Sequence, residues 1–156
     1  MRTIPLLILV AAICRAEGAF GTWKMDPARS TFVGNPHPKA MTVRFAPHAK
    51  GEVFTLDRID GNGRTMTSST ILYFDGKPRD FQGQVQDRAC SGTQSSRRVD
   101  NATVEILRTC SSGEWTRIVR RLPANRGNLL ILEMTEQQRN SRFERRLVLE
   151  KEMEKR

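Results

Sequence analysis

Aromatic side chains are scarce here: one Tyr, two Trp and seven Phe make up 6% of 156 residues. Barrels that bind single-stranded nucleic acid stack bases on exposed rings interleaved with positive charge. This chain has too few rings for such a surface, so no nucleic-acid partner is expected. Histidine is scarcer still, and both residues, His37 and His48, lie beside prolines. No Gly-x-Ser-x-Gly elbow, defensible Cys–His pair or phosphate-cradling glycine loop accompanies them. The carboxylates Asp57, Asp60, Asp75 and Asp80 stand near turns, where aspartate serves as a turn former. Neither an enzyme nor a cofactor is expected. Two distant histidines and the few cysteines do not make a metal-ligand cluster.

Long apolar runs are also missing. The longest, Ile4 to Ile13, is about half of what a membrane-spanning helix needs. It follows the short positive start Met1-Arg2-Thr3 and precedes the small residues Ala16, Gly18 and Ala19. That layout is a secretory signal peptide over residues 1–19, with cleavage after Ala16 or Ala19 and a mature domain over 20–156. The protein is therefore expected to be secreted or periplasmic. Acylation at Cys14 is disfavoured, because Ile13 stands where a lipidated leader has a small residue.

Charge is abundant. The formal net charge is +9, and losing Arg2 and Arg15 with the first sixteen residues leaves +7. An anionic envelope surface is a candidate partner, although basic residues spread along strands more often form a solvated face.

No segment keeps a 3.6-residue apolar period over three turns. Met41-Thr42-Val43-Arg44-Phe45 alternates with period two instead, and Pro47 should close that strand. Further strands are predicted over 52–59, 64–74, 103–109, 115–122, 128–135 and 142–151. Asp60-Gly61-Asn62-Gly63, Asp75 to Pro78, Asp100-Asn101 and Ser111-Ser112-Gly113 supply turns. Asn101-Ala102-Thr103 has the form of a glycosylation acceptor and is read as part of the turn. Residues 80–96 are the least legible stretch. The fold class is all-β, an antiparallel up-and-down barrel of about 8–10 strands, since closure removes exposed edges.

Without the leader, Cys90 and Cys110 remain, and an even count in an exported chain suggests a disulfide. A two-residue turn at Asp100-Asn101 puts Cys90 opposite Ser111, so a bulge near Gly92 is needed to bring the sulfurs together. Two separate buried thiols are the alternative.

Gly21-Thr22-Trp23-Lys24, Arg29-Ser30-Thr31-Phe32, Tyr73 to Lys77 and Leu147-Val148-Leu149-Glu150-Lys151 occur in an order that resembles the calycins. The nearer resemblance is to small secreted lipocalin-like proteins of soil bacteria, acidobacterial ones among them. It implies that Gly21 and Trp23 close one barrel end, with an arginine over the indole, for which Arg142, Arg145 and Arg146 are candidates. It further implies a lumen for a small apolar or amphiphilic ligand.

Met41, Phe45, Leu72, Ile106 and Leu147 are the expected lining. Arginine falls on both faces of the strand from Trp115, so Arg117 and Arg145 are the candidate inward charges, against exposed edge positions with snorkelling stems. A barrel with a filled core, acting as an envelope-associated interaction module, is the alternative function.

Overall fold

The computed structural model describes residues 17–34, 37–85, 88–124 and 127–153. Cys14 and the expected leader up to residue 16 lie outside them. A single 3-10 turn, Glu17–Ala19, precedes eleven strands. These are β1 (Gly21–Met25), β2 (Thr31–Val33), β3 (Ala40–His48), β4 (Gly51–Ile59), β5 (Thr65–Leu72) and β6 (Arg79–Val85). The second half comprises β7 (Arg88–Arg98), β8 (Thr103–Cys110), β9 (Trp115–Arg121), β10 (Leu129–Gln137) and β11 (Arg142–Lys151).

All pairings are antiparallel, in the order β5-β4-β3-β1-β11-β10-β9-β8-β7-β6, with β2 added to β11. The sheet curls into a nearly closed up-and-down barrel whose first and last strands meet, β1 lying between β3 and β11. Its two free edges, β5 and β6, face each other across a slot.

That slot is drawn shut at one end only. Gln94 Nε2 donates to Thr70 Oγ1, at 2.9 Å, from β7. The crossing chain is held by Phe74 N and Gly76 N, which donate to Ser96, and by a bridge from Asp75 to Arg97.

Two expectations change. Pro47 does not end β3, which runs on through it to His48 opposite Gly51. The missing N–H is harmless there, because proline is tolerated where no ladder partner stands. β1 reaches only as far as Phe45. The illegible stretch is two paired strands, β6 and β7. Its glycines and polar residues serve an edge strand and its neighbour, where one face meets solvent.

The turn between β7 and β8 holds three residues, Asp100 to Ala102, so Gly92 faces Cys110. The Cys90–Cys110 disulfide forms diagonally across this ladder with its Cα atoms 5.2 Å apart. Gly92 serves as the point of close approach that the expected bulge was to supply. A Cβ there would lie 1.9 Å from the Thr109 carbonyl oxygen.

Inward positions fill the barrel unevenly. At the end where β1 begins, Trp23, Val43, Phe54, Leu130 and Leu149 are fully buried in one cluster. This half is solid. At the other end the same inward rows become polar: Arg58 follows Leu56, Arg108 follows Ile106, and Glu136 follows Met134.

Candidate functional site

The polar rows enclose a cavity of about 400 Å³. Met41, Leu56, Met66 and Met134 form its apolar wall. Arg58, Arg108, Thr116, Glu136 and Arg145 supply its polar groups. Thr67 and Ser68 on β5 and Gly83 and Gln84 on β6 border it, so it reaches the surface through the open part of the slot. The size lies within the range of small-molecule sites.

Arg108 is the central charge. Its residue is 5% exposed, its guanidinium sits 4.7 Å above the Phe81 ring, and Nε donates to Gln94 Oε1 at 2.9 Å. Gln94 is itself held by Thr70, so the arginine is oriented by the contact that draws the slot together. No carboxylate among the described residues stands within salt-bridge distance of it. Burial pushes its pKa down to about 10, opposed by the charge of Glu136, so the guanidinium stays protonated at neutral pH.

Thr116 is the register partner of both Arg108 on β8 and Glu136 on β10. The three side chains therefore share one rung of the inner wall. Glu136 Oε2 lies 3.6 Å from Arg145 Nη2, an ion pair without a hydrogen bond. Arg58 donates to Met66 Sδ at 3.4 Å. Among the described residues the lining carries the guanidiniums of Arg58, Arg108 and Arg145 and the carboxylate of Glu136.

The expected lining divides between the two halves of the barrel. Met41 and Arg145 line the cavity, whereas Phe45, Leu72, Ile106 and Leu147 belong to the solid half. Arg117 points outward and pairs with Glu105, Nε donating at 2.6 Å. The inward arginine of β9 is Arg120, buried against Glu52 at 2.6 Å.

Gly21 opens β1 with φ +119°, a glycine conformation, and Trp23 is fully buried. The cation over the indole is Lys151, 5.3 Å from the ring, in place of an arginine.

Arg58, Arg108, Thr116 and Glu136 escaped the sequence. A signal existed for Arg108: it continues the inward series Val104, Ile106 on a strand whose alternation is clean. Glu136 lay one residue past the predicted end of its strand, among loop residues.

Strand order, antiparallel pairing and a cavity at one end define the fold as calycin-like. No protein-family model and no curated protein matches this chain. The solved structure of zebrafish ileal bile acid-binding protein complexed with cholic acid is similar in fold. The TM-score is 0.50 at 12% identity, covering 87% of this chain and 100% of that one.

Proposed function

We propose that this chain is a non-enzymatic carrier of a small amphiphilic molecule with an anionic head, taken up through the slot between β5 and β6. The observation that carries this is Arg108, a buried guanidinium in the cavity wall with no carboxylate of the described residues within salt-bridge distance. Burying an unpaired charge is unfavourable, and an acidic ligand with an apolar body relieves that cost while filling the methionine-lined wall. The cholic acid held by the zebrafish protein is an amphiphilic acid, which accords with this class of ligand. The cavity favours a carrier over an interaction module with a wholly filled core.

Export through the leader, to the periplasm or the medium, belongs to the same reading. The Cys90–Cys110 disulfide supports it, since such bridges persist in oxidising compartments. So does the resemblance to small secreted lipocalin-like proteins in the order of motifs from Gly21 to Lys151.

The test is saturable binding of the anionic probe 1-anilinonaphthalene-8-sulfonate, followed by fluorescence, and its displacement by tetradecanoic acid or the acid's methyl ester. The acid should compete and the ester should not. Arg108→Leu should weaken probe binding by roughly ten- to hundredfold, the worth of a charge-assisted hydrogen bond. An ester as effective as the acid, or no saturable binding, would sink the proposal.

A further inference from the structure

Two buried polar atoms of the cavity wall have no hydrogen-bond partner: Glu136 Oε2 and Thr116 Oγ1. Their residues are 5% and 2% exposed, so solvent at the surface does not satisfy them. Buried polar groups are paired in nearly all folded proteins, and orphans grouped in a ligand-sized cavity mark where a ligand's polar atom belongs. Both stand on the rung that carries Arg108, with Thr116 between the other two.

We infer that the ligand is an acid bearing a hydroxyl within a few carbons of its carboxyl group, the hydroxyl being read by Glu136 and Thr116. This deepens the carrier reading and rests on it. A carboxylate oxygen only accepts hydrogen bonds, so whatever meets Glu136 must donate. An ammonium is the poorer donor here, because Arg145 already lies 3.6 Å from Glu136 and Arg108 stands on the same rung. A neutral hydroxyl donates to Glu136 and accepts from Thr116, satisfying both orphans at once.

The spacing selects the position. Neighbouring strands lie about 4.8 Å apart, so Arg108 and Glu136, two strands apart, are roughly 10 Å from each other at the wall and closer at their converging tips. A carboxylate on Arg108 leaves a hydroxyl on the second to fourth carbon beside Thr116 and Glu136. The remaining tail lies against Met41, Met66 and Met134. A plain fatty acid satisfies Arg108 and leaves the orphans unpaired.

Calorimetric titration of the full chain, disulfide intact, with tetradecanoic and 3-hydroxytetradecanoic acid tests this. The hydroxylated acid should bind at least about tenfold more tightly, in line with a hydrogen bond to a charged group. Thr116→Val, close in shape, should cut that preference severalfold. Glu136→Gln, which keeps an acceptor without the charge, should retain part of it. The wild-type pair of ligands is decisive even where a variant fails to fold.

Equal affinities, or tighter binding of the plain acid, overturn the hydroxyl inference and leave the carrier reading in place. If neither acid binds, both readings fall, since the carrier reading requires the plain acid to compete with anilinonaphthalenesulfonate.

Discussion

Trp23 shows how one side chain closes a barrel. Its indole is fully buried, and Nε1 donates to the Ala19 carbonyl at 2.8 Å. The hydrogen bond ties the turn before β1 to the base of the core. Replacing Trp23 by Phe removes that bond and some volume, which should cost about 1–3 kcal/mol in a denaturant titration. A midpoint unchanged from wild type would deny the indole this role.

Arg120 illustrates a different balance. It is buried in the solid half with Glu52 at 2.6 Å and lies 4.5 Å over the Phe45 ring. Such a pair is weak evidence for net stability, but breaking it leaves the buried Glu52 with only Arg98, at 3.4 Å. Arg120→Met should cost about 3–5 kcal/mol, and adding Glu52→Leu should recover most of the loss. A double variant as unstable as the single one would refute the stranded-charge account.

Among the elements, β7 and β8 carry the covalent staple. The bridge spans 20 residues around the β7–β8 turn. Cys90→Ser with Cys110→Ser should lower unfolding stability by about 3 kcal/mol on the chain-entropy argument. A loss below ~1 kcal/mol would show that the ladder alone already constrains this hairpin.

The turn Glu17–Ala19 bears on processing. Ala19 is fully buried and accepts the Trp23 hydrogen bond, and Phe20 packs against the core. Cleavage after Ala16 preserves these contacts, whereas cleavage after Ala19 removes the acceptor. Under the export proposed above, N-terminal sequencing of the mature chain should therefore begin at Glu17; a start at Phe20 would refute this.

The molecule as a whole should respond to acid in one direction. Hydrogen bonds from Arg64 and Asn62 hold Asp60 below its ordinary value of 3.8. The Arg79 guanidinium does the same for Asp75, and the Ala102 backbone N–H for Asp100. Burial raises Glu105, but Arg97 and Arg117 outweigh it and bring it below 4.5. Each carboxylate is a stronger acid in the folded than in the unfolded chain, so the unfolded state binds more protons as pH falls. Thermal stability should be flat above about pH 5 and fall as pH drops below ~4. Asp75→Asn should shallow that fall. A melting temperature that rises on acidification would reverse the sign.

Much of this molecule was open to reading in one dimension. Alternation such as Met41, Val43, Phe45 against Thr42 and Arg44 dictates a strand, because only a pleated backbone sends those two sets to opposite faces. Asp60 to Gly63 dictates a hairpin through backbone chemistry that needs no partner from afar. Two cysteines on adjacent strands sufficed for the disulfide, though its register depended on whether one turn held two residues or three.

What no local pattern contains is which inward residues share a level of the barrel. Ile106 and Arg108 differ by one rung, yet the first is core and the second lines a cavity. Arg120 and Arg108 are both inward arginines. The difference between them is Glu52, 68 residues from Arg120 in the chain and brought to it only when the sheet closes. Strand, turn and facing were local matters, set by backbone sterics and the pull of water on polar groups. Tertiary structure alone decided where the barrel is solid, where it is hollow and that Arg108 stands there with no ion-pair partner among the described residues, because burial and pairing are properties of neighbours in space.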